Sequence, residues 1–290
     1  MTGPAITYVL GSGRSGSTVL ERLLASAPRV TAVGEIATLW RRPLKKLTCS
    51  CGAPAPDCAF WADMRAKIGL TDNALSELAA LETTVVRHKA FISDALRGAT
   101  WAARPEAQRF LAVQSDLFSA ISEATGAQRI VDSSKAGPRA WALSALPNVS
   151  ILHLRRHPGH VAASWRRVKH DPSLGGPMRR PSYPAIAREW LTAEISARRL
   201  AAIHPVTRLD YELLTDDPAA ALRHLGPLAE GVALDGRSFA PDPDYHSLNG
   251  NPDRFDRGRI TLKPAAPPPL PRREAAFTRL TGAALNLAAP

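Results

Sequence analysis

The fold is decided by residues 6–35, which read ITYVLGSGRSGSTVLERLLASAPRVTAVGE. The run 6–10 is apolar and predicts a buried strand that ends at Gly11, where a glycine-serine loop begins. Residues 17–27 then carry apolar side chains at helical spacing, and 30–33 predicts a second short strand. The segment therefore indicates a strand, a tight loop, a helix and a strand, as at the start of a parallel α/β fold.

The rest of the chain repeats this alternation of strand and helix. Further strands are predicted over 129–131, 149–154 and 206–209. Helices are predicted over most of 70–125 and over 138–146, 159–168, 185–203 and 218–228. Strands that alternate with helices are typical of one parallel sheet covered by helices. We therefore expect an α/β fold with a parallel sheet flanked by helices.

No internal repeat or clear boundary divides the chain, so a single domain over residues 1–290 is predicted. Within it, the region over about 39–125 is an insertion that is largely helical. The regular pattern fades after Gly236, and the segment PAAPPPLP at 264–271 excludes a packed helix or a central strand. We therefore expect an irregular, proline-rich C-terminal arm over about 236–290.

Composition narrows the class of protein. Hydrophobic residues make up 45% of the 290, enough for a sizeable core. Lys and Arg number 37 against 26 Asp and Glu, and the net charge of +11 favours an anionic partner such as a phosphate-bearing cofactor, nucleic acid, acidic lipid or glycan. No apolar stretch is long enough to span a membrane, and the first ten residues lack a signal-peptide pattern. A cytoplasmic protein is expected.

The loop at 11–18, GSGRSGST, has the chemistry of a phosphate cradle. Its glycines allow backbone N–H groups to surround an anion, and the helix that follows adds its positive end. The spacing matches the glycines of a P-loop, but Ser17 stands where a nucleotide triphosphatase has lysine, and Arg14 supplies a cation earlier. Asp132, the best candidate for a Mg²⁺-binding aspartate, follows only a short strand. A nucleotide kinase or NTPase fits poorly, and an ordinary glycine-rich turn is the other alternative.

A second candidate phosphate site lies at 152–165, LHLRRHPGHVAASW. Arg156 is predicted at the carboxyl end of a strand, where parallel sheets bind ligands, and Ser164 follows about two turns into a helix. Arginine suits bidentate phosphate contacts, and serine adds one hydrogen bond. The alternative is a solvated arginine pair and an ordinary helical serine.

Together these motifs resemble those of bacterial sulfotransferases that use 3′-phosphoadenosine 5′-phosphosulfate (PAPS) and release PAP. The string that resembles the family's 5′-phosphosulfate loop is Arg14, Ser15, Gly16, Ser17 and Thr18. Pro158, two residues after Arg156, and Ser164 match its 3′-phosphate motif, which makes Arg156 rather than Arg155 the expected ligand. The resemblance implies a P-loop NTPase-like architecture, PAPS as donor and PAP as product.

Two later segments are similar to the same family. Tyr211, in DYELL, matches a tyrosine that contacts the adenine part of the donor; the alternative is a core tyrosine. The segment GNPDRF at 250–255 matches a segment that folds over the nucleotide, which implies that Asn251, Arg254 and Phe255 bind the cofactor. A plain surface loop is the alternative. The Asp-x-x-Trp that often follows in bacterial members is missing, so how the arm closes over the cofactor is left open.

The resemblance also implies catalytic roles. Arg14 and Lys135 are assigned to the phosphosulfate, where charge builds on the leaving group. Glu35, in a Gly-Glu pair after the second strand, matches the general base of related enzymes. A carboxylate at a pocket wall can have its pKa raised toward the working range. The alternatives are a surface ion pair of Glu35 with a nearby arginine, a solvated Lys135, and a histidine as base (His160 or His170).

Cys49, Cys51 and Cys58 fall within ten residues. Three thiols can ligate zinc, but the spacing is not C-x₂-C and no fourth ligand is evident nearby, so no metal is expected. Similar Cys-x-Cys-Gly knots in bacterial sulfotransferases look structural, and a disulfide requires an oxidising compartment.

The predicted reaction moves a sulfuryl group to a hydroxyl or amine of a small-molecule or glycan-like acceptor. Acceptor choice is assigned to the insertion at 39–125 and the loop at 172–184. A basic nucleic-acid-binding module is the rival from another class, but the chain has no basic-aromatic cluster or recognisable motif, so no nucleic acid is expected as partner. The sequence determines neither the acceptor nor the oligomeric state.

Overall fold

The structure is a computed structural model that describes residues 3–42, 46–86, 98–171 and 175–264, together with Ala275, Arg279 and Thr281. Its strands are β1 (Ala5–Gly11), β2 (Val30–Gly34), β3 (Arg129–Lys135), β4 (Val149–Arg155), β5 (His170–Asp171), β6 (Gly176–Pro177), β7 (Val206–Asp210), β8 (Ser238–Phe239) and β9 (Ile260–Thr261).

The described helices begin with α1 (Ser17–Leu24), α2 (Thr38–Arg41), α3 (Ala59–Lys67), α4 (Asp72–Val85), α5 (Gly98–Ala102) and α6 (Pro105–Thr125). They continue with α7 (Gly137–Leu143), α8 (Pro158–Arg166), α9 (Tyr183–Ala201), α10 (Tyr211–Asp216) and α11 (Pro218–Leu225). Short 3₁₀ helices lie at Gly226–Ala229 and Pro252–Phe255.

Five strands form one parallel sheet in the order β2-β3-β1-β4-β7. The predicted fold class, a parallel sheet flanked by helices, is thereby confirmed. Parallel strands place their carboxyl ends at one edge, and this edge carries the starts of the loops that follow β1, β2, β3, β4 and β7. The candidate residues at 14, 35, 135, 156 and 211 all follow or end these strands, which brings them to the same side of the sheet.

Side chains of the central strand alternate between two apolar cores because successive residues of a strand point to opposite faces. Ile6, Tyr8 and Leu10 pack into the core that contains the insertion helices, with Phe110 among its members. Val9 packs into the second core, beneath α1 and α11. Burial on both faces explains why β1 reads as a continuous apolar run.

Local signals in the sequence account for many helix ends. Proline stands in the first turn of α6, α7, α8, α9 and α11, where the missing N–H is not needed. The side chain of Thr71 caps α4 by accepting from the N–H of Ala74 at 3.2 Å. Gly126 ends α6 in the left-handed conformation, at a φ of 66°.

The insertion is largely helical where it is described, as α4, α5 and α6 show, but residues 46–58 form turns and isolated bridges; residues 87–97 of the predicted helical stretch lie outside the described residues. Helices α2 and α3 had not been predicted. The described part of the predicted C-terminal arm, residues 236–264, contains only short elements, yet Tyr245 and Leu248 within it are fully buried. The proline run, apart from Pro264, lies outside the described residues. Among the described helices, none combines the length and apolar character that crossing a membrane requires.

Candidate active site

The glycine loop after β1 can be built only with glycine at position 16. Gly16 has a φ of 100°, in the left-handed region, and precedes the first residue of α1. A Cβ at this position would overlap the ring of Tyr211. The loop therefore lies directly against Tyr211, and the N-terminus of α1 faces the cavity through Ser17 and Thr18. No acidic side chain occupies the first turn of α1, so its positive end is available to an anion.

Arg14 lies at the tip of this loop, also with a positive φ of 66°. Its Nε donates to Oγ of Ser164 at 3.2 Å, and its Nη1 donates to Oδ1 of Asn251 at 3.2 Å. The guanidinium carbon lies 5.6 Å from the centre of the Trp165 ring. All these partners are neutral, so the arginine keeps its full charge facing the cavity.

Arg156 meets Arg14 at the same cavity. Its Nη1 donates to the backbone oxygen of Arg14 at 2.9 Å, and its guanidinium lies 4.4 Å from the centre of the Tyr211 ring. The buried Nε of Arg156 has no hydrogen-bond partner among the described residues. Arg155, one residue earlier, turns away and pairs with Glu194 at 3.3 Å and Asp210 at 3.8 Å. The structure thus separates the two arginines: Arg156 lines the cavity, and Arg155 does not.

The hydrogen bond between Arg14 and Ser164 joins two residues that the sequence assigned to opposite ends of the donor. Both also line one cavity of about 1540 Å³ together with Arg156. A cavity of that size has room for a nucleotide and an acceptor.

The two cavity arginines share an electrostatic signature. Burial is the main cause that lowers the pKa of Arg14; the carboxylate of Asp253 opposes this shift, and the positive charges of Arg156 and Arg167 add to it. Burial likewise lowers the pKa of Arg156. Cations that crowd together in a partly desolvated cavity gain from any anion that enters it. The site therefore favours a multiply charged anionic ligand.

Glu35 follows β2 and lines the cavity, but its partner is not a nearby arginine as the alternative supposed. Its Oε1 accepts from Nζ of Lys135, and its Oε2 accepts from Nδ2 of Asn249 at 2.7 Å. Burial raises the pKa of Glu35, but the charge and hydrogen bond of Lys135, with the hydrogen bond from Asn249, outweigh it and leave the pKa below its ordinary value. This direction is opposite to the expected one. Lys135, likewise, is ion-paired rather than solvated.

The late segment 249–251 closes the cavity on the side of Glu35 and Arg14. The backbone N–H of Asn251 donates to Oγ1 of Thr18 at 3.4 Å. A Cβ on Gly250, whose φ is 103°, would lie 3.3 Å from the same oxygen. Glycine is therefore needed where this segment crosses the start of α1.

Three predicted cofactor ligands do not line the cavity. Ser15 is buried under the loop, with its N–H donating to the carbonyl of Ser12 at 3.3 Å. Arg254 is 1% exposed, donates to the carbonyl of Gly250 at 3.1 Å and pairs with Asp171 at 3.6 Å. Its guanidinium stacks on Phe255, at 4.2 Å. Arg254 and Phe255 therefore contact the segment 249–251 on the side away from the cavity, and the hydrogen bond from Arg254 to Gly250 helps to hold it in place.

Some cavity residues were missed by sequence reasoning. One stripe of α9 lines the cavity, and its members are Ala185, Arg188, Glu189, Thr192, Ala193, Ser196 and Arg199. Their spacing of three and four residues is typical of one helix face, but the sequence analysis predicted only the helix and not that this face lines a cavity. Oε1 of Glu189 accepts from the N–H of Gly13 at 2.6 Å, so this carboxylate occupies one donor of the glycine loop. Asn249 and Lys169, which donates to Asp253 at 2.6 Å, were also missed.

Asp132, the best sequence candidate for a Mg²⁺-binding aspartate, is buried and already engaged by protein groups. It is fully buried, accepts from Ser134 at 2.9 Å and pairs with Arg139 at 3.4 Å. Asp132 therefore does not support a Mg²⁺ site. The groups that can bind an anion at this loop are arginine side chains and backbone N–H groups.

A family model provides independent support for the class. The model described as "Sulfotransferase family" matches residues 7–229, well over half of the chain. The chain therefore belongs to the sulfotransferase family, a class of transferase enzymes that generally uses PAPS as sulfuryl donor. The predicted family is thereby confirmed. No curated protein matches the chain.

Solved structures with similar folds include two sulfotransferase domains. The sulfotransferase domain of the olefin synthase from Synechococcus PCC 7002 is 19% identical, with a TM-score of 0.49 over 100% of this chain and 98% of that one. The sulfotransferase domain from the curacin biosynthetic pathway is 18% identical, with a TM-score of 0.47 and complete coverage of both chains. The sulfotransferase STF9 from Mycobacterium avium is 14% identical, with a TM-score of 0.41 over 79% of this chain and 64% of that one.

Proposed function

We propose that this chain transfers a sulfuryl group from PAPS to a hydroxyl or amine of a small-molecule or glycan-like acceptor. The observation that carries the proposal is the meeting of Arg14 and Arg156 in one cavity. They come from loops after two different strands, and neither forms an ion pair with a carboxylate of any described residue. A donor that is phosphorylated at both ends of its ribose supplies the missing negative charge.

In this proposal the glycine loop and the N-terminus of α1 hold the 5′ end of the donor. Gly13 and Gly16 supply the close backbone approach, and Ser17 and Thr18 add hydroxyl groups. Arg156 and Ser164 hold the 3′-phosphate, and the unpartnered Nε of Arg156 gains an acceptor there. Tyr211 supports the adenosine beside them.

The chemical step needs a proton acceptor and charge stabilisation on the leaving group. The acceptor O–H or N–H bond breaks as the new bond to sulfur forms, and the electrons of the S–O bond leave with the phosphate of PAP. In our proposal Glu35 takes the proton, while Arg14 and Lys135 stabilise the developing charge on the leaving oxygen. Positioning supplies much of the acceleration, as in related phosphoryl transfer.

The ion pair between Glu35 and Lys135 suggests how the base becomes competent. With Lys135 beside it, the carboxylate is held ionised at a lowered pKa and is a weak base. When the donor draws the ammonium group toward its phosphosulfate, Glu35 keeps only the hydrogen bond from Asn249. The loss of the neighbouring cation raises its pKa, which makes it a better proton acceptor at the moment the donor is in place.

Thermal shift with adenine nucleotides tests the donor assignment. We expect PAP to raise the Tm of the full chain far more than AMP, which lacks only the 3′-phosphate, or ADP and ATP. Equal stabilisation by AMP and PAP would reject the 3′-phosphate site. Strong Mg²⁺-dependent stabilisation by ATP, with hydrolysis, would instead favour an NTPase.

Replacement of the proposed base tests the mechanism separately. We expect Glu35→Gln to bind PAP with an affinity close to that of the native chain. Its sulfuryl transfer from radiolabelled PAPS to a panel of phenols, amines and sugars should fall by about 10²- to 10⁴-fold. Undiminished transfer in this variant would remove Glu35 as the base.

A further inference from the structure

Three cysteines and one histidine from distant parts of the sequence meet outside the cavity. The three thiols of Cys49, Cys51 and Cys58 lie at the start of the insertion, and His246 joins them from 188 residues beyond Cys58. The four ligand atoms all lie within 4.8 Å of one another. None of the four residues lines the cavity.

The distances match those of a tetrahedral ion. Nδ1 of His246 lies 3.5 Å from Sγ of Cys49 and 3.5 Å from Sγ of Cys58, and the Sγ atoms of Cys51 and Cys58 lie 3.7 Å apart. Zinc bound tetrahedrally through sulfur and nitrogen places sulfur atoms about 3.8 Å apart and sulfur and nitrogen about 3.6 Å apart. A disulfide would need sulfur atoms about 2.0 Å apart, and all three cysteines are free thiols. The cluster thus has the size of a zinc site.

We propose that Cys49, Cys51, Cys58 and His246 bind one Zn²⁺ ion as a structural site. Three thiolates and one imidazole complete a four-coordinate shell and leave no open position, which is typical of structural rather than catalytic zinc. The expectation of no metal arose because the fourth ligand is absent from the cysteine segment itself. The proposal does not depend on sulfuryl transfer.

The backbone around the cluster holds the ligands in place without the ion. Gly52, at a φ of 95°, closes a turn in which its N–H donates to the carbonyl of Cys49 at 2.9 Å. The N–H of Cys58 donates to the carbonyl of Pro54 at 2.9 Å. The imidazole of His246 stacks on the ring of Phe60 with centres 5.0 Å apart and planes 10° apart, which directs Nδ1 to the sulfurs.

The position of the cluster explains what the ion would do. Oγ of Ser50 donates to the carbonyl of Tyr245 at 2.6 Å and accepts from the N–H of Ser247 at 2.8 Å. Ser50 is thus hydrogen-bonded to the residues on both sides of His246, which links the cysteine segment to residues 245–247. Asn249, which donates to Glu35, lies only three residues after His246. Zinc at this point would fasten the segment that closes the active site.

Metal content of the full chain tests the proposal directly. We expect about one zinc per chain by mass spectrometry after purification through a tag that binds no metal. The double variant Cys49→Ser/Cys51→Ser should lose it, and His204→Ala, a histidine outside the cluster, should keep it. Zinc below about 0.1 per native chain, or equal zinc in the double variant, would overturn the site.

A second measurement on the native chain keeps the test valid if the double variant does not fold. After removal of zinc, added Co²⁺ should give the visible bands of a tetrahedral ion and charge-transfer bands from thiolate. Removal of zinc should also lower Tm and expose three thiols to a thiol reagent, whereas PAP should still bind wherever the chain stays folded. A disulfide between Cys51 and Cys58, or octahedral Co²⁺ without thiolate bands, would contradict the proposal.

Discussion

A buried arginine in the core and two half-buried arginines at the cavity form two groups that differ in how their charge is balanced. In the core, Arg139 is completely buried and donates to Glu82 at 3.0 Å and Gln114 at 2.7 Å, with Asp132 at 3.4 Å. At the cavity, Arg14 and Arg156 contact hydroxyl, amide and backbone oxygens instead.

The pKa values move in opposite directions for this reason. Burial lowers the pKa of Arg139, but the carboxylates of Asp132 and Glu82 more than compensate and raise it above its ordinary value. Burial lowers the pKa of Arg14 and of Arg156, and nearby acidic groups offset this only in part, Asp253 for Arg14, and Tyr211 and Glu212 for Arg156. A buried charge that is paired with opposite charges is typical of a structural role, and a positive charge at a cavity without an ion-pair partner is typical of an anion-binding site.

Removal of the core arginine gives the largest expected effect. Arg139→Ala leaves Asp132 and Glu82 without their shared cation and leaves a cavity, so we expect a loss of about 3–5 kcal/mol in unfolding free energy. Urea unfolding followed by circular dichroism measures this loss. PAP affinity of the chain that remains folded should be unchanged.

The double variant Arg139→Met/Asp132→Asn is the control for this prediction. Removing both charges restores part of the stability, because no unpaired carboxylate remains at Asp132. If Arg139→Ala were as stable as the native chain but failed to bind PAP, the division between the two groups of arginines would be wrong.

A buried carboxylate that forms no salt bridge with any described cation extends the comparison to a negative charge. Glu21 is 1% exposed, and burial raises its pKa to about 7 against the lowering effect of hydrogen bonds from Ser133 and Tyr245. Because the folded pKa exceeds the unfolded one, this group favours the folded state fully below pH ~4.5, and that contribution is lost as pH rises through about 7.

The lost contribution amounts to about 3 kcal/mol. Glu21→Gln removes this titration, so its stability relative to the native chain should rise by up to that amount between pH 5 and pH 8. Urea unfolding at both pH values measures the difference. A difference between the two proteins that does not change with pH would show that Glu21 is not the titrating group.

Much of this fold could be predicted because its signals are local. The strands β1, β3 and β4 and the loop before α1 follow from apolar runs and glycines within a few residues. Helix α3 could not be predicted in this way, since it buries only Trp61 and Met64 among the core residues. Two buried residues are too few to give an amphipathic pattern that predicts a helix, so its formation depends on packing against neighbouring helices.

The cavity arginine gives the next largest effect. Arg156→Ala removes the charge-assisted contact that we propose to the 3′-phosphate, so we expect the Kd for PAP to rise at least about 100-fold, equivalent to about 2.7 kcal/mol. The urea midpoint should stay close to native, since no carboxylate loses its partner. Calorimetric titration with PAP measures the change.

Arg155→Ala is the matched control, one residue away on the same strand end. It breaks ion pairs with Glu194 and Asp210, so it should reduce stability modestly and leave PAP affinity within about threefold. A reversal of the two results would place the ligand on the other arginine and undo the proposed site.

The candidate site was predictable only where a motif carries it. Short motifs pointed to Arg14 and Arg156, and Glu35 and Lys135 were each predicted as separate site residues, without the contact between them. The ion pair between the latter two joins residues 100 apart, and the hydrogen bond from the N–H of Gly13 to the carboxylate of Glu189 joins residues 176 apart. Such pairings depend on strand order and on how α9 crosses the sheet, which no window of sequence contains.

Glu189 gives the smallest and sharpest test. Its carboxylate accepts from the N–H of Gly13, the same kind of donor that the proposed 5′ end of PAP requires, and it brings negative charge into a cavity prepared for an anion. Glu189→Gln should therefore tighten PAP binding by about fivefold, within the range of a single exposed charge interaction. Titration calorimetry at low and high salt measures the gain, which should shrink with added salt.

The control for the change in net charge is Glu230→Gln, which replaces an exposed carboxylate outside the cavity. Weaker binding in Glu189→Gln alone would show that this carboxylate positions the loop instead of competing with the donor. In that case Arg14 and Arg156 would face a cavity whose one acidic loop contact helps the anion to bind, and charge balance alone would no longer separate the two groups of arginines.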